Sequence, residues 1–230
     1  MVQKRNSSGP QASAKAKKAA PAQQHAPSAE PKRRGRPRAY QPELALARAL
    51  DVFWKEGFAA TSLDDLSAAT GMNRPSLYGA FGDKRELYIK SYEAYRHRAR
   101  ARMGEAFAAD LPLREMLERV YAIALDMYLS GKDGPRGCFT VMTATSEAVF
   151  DPDIRELVIT GLAETDRFFA RIFRRAQERG ELSADPQVLA HLASGTLHTI
   201  AVRARAQVSR AELDAIVKGA LDVMCGKAAT

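Results

Sequence analysis

The stretch TSLDDLSAATGMNRPSLYGAFGDK at residues 61–84 has the start and stop signals of two short helices joined by a tight turn. Ser62 is placed to cap the first helix, because its hydroxyl oxygen can accept a hydrogen bond from an unpaired amide of the first turn, and Asp65 completes a capping box. Gly71 follows where this helix should end, since a left-handed C-terminal residue costs least in glycine. The sequence therefore predicts a helix followed by a turn of about three or four residues.

The residues after this turn predict a second helix with an open outer face. Asn73 offers another N-cap, and Pro75 falls in the first turn, where a missing N–H costs nothing. Leu77 and Phe81 lie four residues apart and so share the face toward the core. The outward residues are small or polar near the N-terminus of this helix: Arg74, Ser76, Tyr78, Gly79 and Ala80. Such a helix can enter the major groove of DNA, and the whole pattern is that of a helix-turn-helix.

The same region resembles the N-terminal domain of TetR-type transcriptional regulators. Eleven positions carry the resemblance with the spacing of that family: Phe53, Gly57, Thr61, Leu66, Gly71, Met72, Leu77, Tyr78, Phe81, Lys84 and Leu87. Two positions depart from it, because Pro75 stands where the family often has glycine and Ala80 replaces a common His or Tyr. The resemblance implies an all-α fold, with an N-terminal three-helix DNA-binding domain and a C-terminal helical domain for ligand binding and dimerisation.

The predicted DNA contacts centre on the second helix of this pattern. Arg74 suits bidentate bonding to guanine O6 and N7, whereas Ser76 and Tyr78 suit phosphates or pyrimidine edges. Lys84, beside a helix start, suits a phosphate. Together with positions carried over from the resemblance and from the N-terminal arm, the predicted set is Arg34, Arg36, Thr61, Ser62, Arg74, Pro75, Ser76, Tyr78 and Lys84.

Positive charge is concentrated at the N-terminus. Residues 1–38 hold ten Lys or Arg and one Glu, a net charge of +9, whereas residues 39–230 carry 25 basic against 26 acidic residues, a net charge of −1. The first segment has almost no large apolar side chains, so we expect a disordered basic arm. Its KRRGRPR at 32–38 resembles an AT-hook, in which Arg34 and Arg36 would enter a narrow A·T minor groove. The alternative is a basic tail that only raises nonspecific affinity.

Helical periodicity predicts helices over the rest of the chain. The resemblance implies that residues 39–103 form the helix-turn-helix domain together with its connecting helix, and that residues 104–230 form a helical effector-binding and dimerisation domain. Besides the two helices of the central motif, the predicted helices span 41–57, 83–103, 112–130, 138–149, 152–180, 186–206 and 210–225.

The last two predicted helices form the expected homodimer interface. The helix at 186–206 is apolar or small on two sides and so needs two partners. Pairing the last two helices of each subunit builds a four-helix bundle. Small residues in the first of these helices would let the backbones approach closely: Ala193, Ser194, Gly195 and Ala201. The alternative is that these helices close a monomeric core.

The resemblance also implies a pocket for a small-molecule effector between the helices of the body. Candidate lining residues combine aromatic walls with a few polar groups: Tyr121, Leu125, Tyr128, Cys138, Phe139, Met142, Phe169, Phe173, His198 and Arg203. The alternative is that these side chains only pack the core, because aromatic residues at helical spacing are typical of packing.

Cys138 follows a glycine loop at a predicted helix start beside Arg136. The helix dipole and the nearby positive charge would favour its thiolate, as in a sensor of oxidants or electrophiles. The alternative is a small buried apolar residue. Because Cys138 and Cys225 are far apart, they suggest neither a disulfide framework nor a zinc site.

No metal, cofactor or catalytic site is predicted. His191 and His198 could share a helix face, but no further ligand completes a metal set. No nucleophile triad, phosphate-cradling glycine loop or supported carboxylate pair occurs, so the chain is not predicted to be an enzyme. No apolar run reaches the roughly 18 residues of a membrane helix, and we expect no membrane partner and a cytoplasmic, nucleoid-associated location.

The leading hypothesis is a homodimeric repressor that binds a palindromic operator in double-stranded DNA and is released by a small molecule. One alternative is an architectural or nonspecific DNA-binding protein driven by the basic arm. Another is a thiol-based redox regulator that acts through Cys138.

Overall fold

The computed structural model describes residues 41–226, and over this range the chain is built from α-helices without any strand. The helices are Pro42–Ala60 (α1), Leu63–Thr70 (α2), Arg74–Phe81 (α3), Lys84–Ala108 (α4), Leu113–Leu129 (α5), Thr145–Glu147 (α6), Pro152–Glu178 (α7), Pro186–Arg205 (α8) and Arg210–Cys225 (α9). The predicted all-α fold is confirmed. The predicted arm at 1–38, with Arg34 and Arg36, lies outside the described residues.

Local hydrogen bonds set the ends of α2 and α3 as predicted. The Ser62 hydroxyl accepts from the Asp65 amide at 3.1 Å, and the Asp65 carboxylate accepts from the Ser62 amide at 2.8 Å, which completes the capping box. Gly71 ends α2 in the left-handed region at φ 70°. The Asn73 side chain then accepts from the Ser76 amide at 2.9 Å and starts α3. These contacts join residues close together in the chain, which explains why this part of the fold can be predicted from the sequence.

Gly57 breaks α1 near its C-terminal end. Its backbone has φ 80° and ψ 173°, a conformation that favours glycine, and one more helical turn follows as far as Ala60. The prediction that helical geometry stops at Gly57 is thus confirmed locally, although the helix resumes for three residues.

The connecting helix α4 extends beyond its predicted end near residue 103. It continues to Ala108, because its last turns pack against the body of the protein. Ala106 is fully buried, and the Phe107 ring lies 6.2 Å from that of Phe168 on α7. The predicted end is therefore wrong by about five residues, since tertiary contacts prolong a helix that has no strong stop signal of its own.

An aromatic cluster joins α1 and α4 to the segment after α5. Phe139 is fully buried at its centre. Its ring centroid lies 5.5–6.1 Å from those of four aromatic residues: Trp54, Tyr88, Tyr92 and Tyr95. The helix-turn-helix region and the body consequently share one core.

The segment predicted as a single helix at 138–149 is irregular. It forms a π-helical turn over Thr140–Ala144 and runs directly into the short α6. The hydroxyl of Thr143 donates to the carbonyl of Phe139 at 2.8 Å, and that of Thr145 donates to the carbonyl of Val141 at 2.9 Å. These hydroxyls thus compete with backbone amides for the carbonyls of the preceding turn, which weakens regular α-helical hydrogen bonding.

Candidate DNA-reading surface and ligand cavity

The helix α3 buries one side and exposes the other. Leu77 and Phe81 are buried at 2% and 6% exposure and hold α3 against the core. The predicted contact residues at its N-terminal half are all exposed: Arg74, Pro75, Ser76 and Tyr78. The Ser76 amide is taken by the Asn73 cap and Pro75 has no N–H, so what α3 presents near its N-terminus is mainly these exposed side chains and the positive end of its dipole, a surface that suits a major groove.

Arg74 is held by a carboxylate of α2. Its Nε donates to Oδ1 of Asp64 at 3.1 Å and its Nη2 donates to Oδ2 at 2.7 Å. The same fork geometry suits guanine O6 and N7. Because both side chains are more than half exposed, water screens the pair strongly, and releasing Arg74 from Asp64 costs little.

Two other predicted DNA contacts, Ser62 and Lys84, lie at or near the surface. Ser62 is exposed, but its hydroxyl is engaged with Asp65. The Lys84 side chain is half-buried, and its ammonium lies 4.4 Å from the centre of the Phe58 ring.

Thr61 requires a correction. It is 1% exposed, and its hydroxyl donates to the carbonyl of Gly57 at 2.6 Å. The side chain bridges the broken end of α1 to the start of α2 and has no exposed polar atom to offer to a phosphate. Its match to the family pattern is explained by this bond within the helix-turn-helix region.

A cavity of about 590 Å³ lies between α4, α5, α7 and α8. This volume falls within the usual range of small-molecule sites, about 300–1,000 Å³. The residues that line it are Tyr95, Arg96, Ala99, Arg100, Met103, Gly104, Met127, Tyr128, Cys138, Thr140, Gly161, Glu164, Thr165, Arg167, Phe168, Ala170, Arg171, Arg174, Gln187 and Leu197.

The structure brings together only two of the ten residues that the sequence suggested for a pocket, Tyr128 and Cys138. The other eight lie away from the cavity wall: Tyr121, Leu125, Phe139, Met142, Phe169, Phe173, His198 and Arg203.

Most of these eight residues serve the packing of the body. The Tyr121 hydroxyl donates to the carbonyl of Ala193 at 3.0 Å, and its ring stacks on that of Phe169. Arg203 points to the surface, and burial lowers the pKa of the half-buried His198. The buried members of this set correspond to the core-packing alternative, because helices in contact bury their apolar faces in each other rather than around a space. Arg203 serves neither the core nor the cavity.

The sequence interpretation missed the contribution of α4 and the polar side of α7. The α4 residues at the cavity belong to the C-terminal part of the predicted connecting helix, which runs into the body. There Arg96 and Arg100 of α4 meet Glu164 of α7. Three arginines spaced at 167, 171 and 174 on α7 were a readable signal, since this spacing places them on one helix face.

Charged and polar groups meet inside the cavity. Arg96 donates through Nη2 to Oε2 of Glu164 at 2.8 Å, and the Arg100 guanidinium lies 3.7 Å from the same oxygen. The Tyr95 hydroxyl donates to Sγ of Cys138 at 3.2 Å. Burial raises the pKa of Tyr95 well above its ordinary value, which keeps this hydroxyl protonated and able to donate.

Two other kinds of site are absent from residues 41–226. No cluster of three or more His, Cys, Asp or Glu side chains is arranged to hold a metal ion there. Within the same residues, every helix is either too short or too polar to cross a membrane.

Comparison with known proteins identifies the family. The model for bacterial regulatory proteins of the tetR family matches residues 45–90, and that for the tetracyclin repressor-like C-terminal domain matches residues 113–220. The chain is 32% identical over 152 residues to the HTH-type transcriptional repressor ComR of Escherichia coli K12, covering 66% of this chain and 72% of ComR. It is 31% identical over 153 residues to the repressor BdcR of the same organism, covering 66% of this chain and 75% of BdcR.

A solved structure supports the same assignment. A cysteine mutant of the TetR family transcriptional regulator CifR, complexed with 26-base-pair double-strand operator DNA, superposes with a TM-score of 0.72. That chain shares 32% identity with this one, and the match covers 83% of this chain and 100% of the solved chain. The chain therefore belongs to the TetR family of DNA-binding transcriptional regulators, which are not enzymes.

Proposed function

We propose that this protein is a homodimeric repressor that binds a palindromic operator through α3 and leaves it when a small molecule occupies the cavity. The observation that carries the proposal is the exposed N-terminal half of α3, with Arg74 already presented in a fork geometry. The operator-bound CifR relative supports it. The expected location is the cytoplasm, at the nucleoid.

The dimer is proposed to form through α8 and α9. Apolar residues remain exposed on both helices: Val188, Leu192 and Val202 on α8, and Val223 on α9. Exposed apolar residues on two adjacent helices suit an isologous four-helix interface. Such a dimer would present two copies of α3 to successive major grooves, which explains the expectation of a palindromic site.

The dimer proposal is tested by placing a charge on this surface. Leu192→Glu should convert the dimer to a monomer in sedimentation velocity, because a buried unpaired carboxylate is costly at an apolar interface. Ile159→Glu is the matched control, since Ile159 is a similarly exposed apolar residue on α7, at 60% against 50% for Leu192. A dimer that survives Leu192→Glu would overturn this interface.

Ligand release is proposed to act through α4. This helix begins three residues after α3 and extends into the cavity wall, where Arg96 bonds to Glu164 of α7. Near its start, Arg85 bonds to Asp151 and Asp153 at the N-terminus of α7. A ligand that favours another position of α4 against α7 would change the separation of the two reading helices and so weaken operator binding.

Selection of bound DNA from a random pool by the full-length protein tests operator binding. We expect an enriched inverted repeat, and loss of about tenfold to a hundredfold in affinity for it on Arg74→Ala, because one bidentate guanine contact is removed. Arg119→Ala, which removes an exposed arginine of α5, is the matched control.

The same selection separates the repressor from the architectural alternative. Enrichment of A·T-rich DNA without dyad symmetry would replace the operator proposal with binding driven by the arm. Deletion of residues 1–38 should leave sequence preference intact and reduce the salt dependence of binding if α3 reads the operator.

A second candidate, a thiol-based switch, is favoured by one observation. Cys138 lies in the wall of the cavity, bonded by the Tyr95 hydroxyl, so a small electrophile or oxidant in the cavity would meet its sulfur. Cys138→Ser should then abolish operator release by hydrogen peroxide, whereas Cys225→Ser should not. A response that survives Cys138→Ser would exclude this mechanism.

A further inference from the structure

Three arginines of α7 form a positively charged edge on the cavity. Arg167, Arg171 and Arg174 all line it and are spaced so that they share one helix face. Among the described residues, none of the three forms an ion pair with a carboxylate. Like charges at this spacing destabilise a helix unless an anion lies beside them.

The guanidinium of Arg171 is arranged to bind such an anion. It lies over the rings of Phe107 and Phe168, with distances of 5.4 Å and 6.0 Å from its central carbon to the ring centroids. Contact with aromatic faces steadies an arginine side chain and leaves its N–H groups available for hydrogen bonds at the edge of the guanidinium plane. A carboxylate matches that edge in a bidentate arrangement.

A fourth arginine lies deeper in the cavity wall. The Arg96 side chain is only 10% exposed and donates to Glu164, while its Nε has no hydrogen-bond partner among the described residues. This nitrogen packs against Gly161, where an added Cβ would come within 3.3 Å of it. The absence of a side chain at Gly161 therefore makes the room that Arg96 occupies at the cavity.

The charge of the whole lining is strongly unbalanced. With Arg100, the cavity has five arginines and a single carboxylate, Glu164, which leaves a net charge of +4. The remaining wall is mainly apolar, with Met103, Met127, Phe168 and Leu197 among its members. A site with an apolar wall and a cationic edge selects a molecule that has both an apolar body and a negative group.

We infer that the effector is a small organic anion, with an apolar body in the cavity and a carboxylate head at the arginines of α7. This inference rests on the proposed function and specifies the chemical class of its ligand. Bound between α4 and α7, such an anion contacts α4, which follows the reading helix, and α7, whose N-terminus is bonded to Arg85 of α4.

Isothermal titration calorimetry of the full-length protein with three eight-carbon probes tests the inference. Octanoate, octanamide and octylammonium share the apolar chain and differ in charge at the head. We expect octanoate to bind at least about tenfold more tightly than octanamide, a difference of about 1.4 kcal/mol. We expect no measurable binding of octylammonium, because the arginines repel it.

Variants locate the binding site. The double variant Arg171→Gln with Arg174→Gln should remove the preference for octanoate over octanamide, whereas Arg119→Gln, on α5 and outside the cavity, should leave it unchanged. Circular dichroism checks that each variant is folded. The inference is overturned if octanamide binds as tightly as octanoate, if neither binds, or if the preference survives the double variant.

Operator binding separates failure of this inference from failure of the proposed function. We expect octanoate to reduce the fluorescence anisotropy of a labelled operator bound to the protein. A protein that selects an inverted repeat but does not bind octanoate remains a sequence-specific regulator, and only the anionic class of effector is then excluded. A protein that selects no inverted repeat fails at the proposed function itself.

Discussion

Replacement of Phe139 tests the claim that the head and the body share one core. This residue is fully buried, and its ring lies 6.1 Å from Trp54 of α1 and 5.5 Å, 5.6 Å and 5.6 Å from Tyr88, Tyr92 and Tyr95 of α4. Phe139→Ala removes the centre of this cluster, whereas Phe139→Leu removes the ring and keeps most of the apolar volume.

The expected loss of unfolding free energy is larger for alanine than for leucine. Truncation of a fully buried phenylalanine costs about 3–5 kcal/mol of unfolding free energy, because burial is lost and a void remains. Four aromatic neighbours place Phe139→Ala at the upper end, since each ring pair adds about 0.5–1.5 kcal/mol beyond area burial. Phe139→Leu keeps most of the apolar volume but loses the same four ring pairs, so it should cost about 2–3 kcal/mol, clearly less than Phe139→Ala.

Urea unfolding measures both losses. Circular dichroism follows the helices, and fluorescence of Trp54, the single tryptophan, reports the cluster itself. Protein concentration must be kept constant, because dimerisation would make the apparent stability depend on it. Phe150→Ala is the control: Phe150 is 85% exposed, and its truncation should change stability by less than about 0.5 kcal/mol.

Two outcomes would refute the reasoning about Phe139. One is a loss below about 1 kcal/mol for Phe139→Ala, since a buried ring at the centre of a packed cluster cannot be removed so cheaply. The other is a fluorescence transition that precedes the circular dichroism transition in the wild-type protein, because one shared core should unfold cooperatively.

Three further predictions concern backbone geometry, a buried hydroxyl and pH. Gly71→Ala should lower the free energy of unfolding by about 1 kcal/mol, because it forces a residue with a Cβ into the left-handed region. Gly79→Ala is the control, since Gly79 lies inside α3 and faces open space, and it should not destabilise the fold. Equal urea midpoints for the two variants would contradict this prediction. Thr61→Val should cost about 1 kcal/mol through loss of one buried hydrogen bond, and its operator affinity should stay near wild type, because the hydroxyl does not reach the surface. Arg85 lowers the pKa of Asp151 to about 2. The stability advantage of the wild type over Asp151→Asn should therefore be fully present above about pH 4, decrease below it and be lost as the pH falls through about 2 in acid titrations. An advantage that is undiminished at about pH 2 would argue against the ion pair.

The features predicted most accurately are those that depend on neighbours in the sequence. The capping box at Ser62, the left-handed Gly71 and the cap at Asn73 all lie where the pattern of residues indicated. Each uses hydrogen bonds or backbone angles within four residues, so the residue type alone carries most of the information.

The extent of α4 and the walls of the cavity were not predictable in this way. Ala106 and Phe107 prolong α4 through contacts with the body. Arg96 and Glu164 are 68 residues apart in the chain and meet only because α4 packs on α7. Helical periodicity indicates which face of a helix is apolar, but it cannot show which other helix covers that face or where two helices leave a space between them.

The sequence by itself determined the all-α class, the caps of the helix-turn-helix region and, through eleven matching positions, the family. Tertiary structure alone decided that Thr61 is buried, that eight of the ten suggested pocket residues lie outside the cavity, and that arginines of α4 and α7 surround that space. The reason is physical: capping and turn geometry are local, whereas a cavity depends on the relative positions of helices that are distant in the chain.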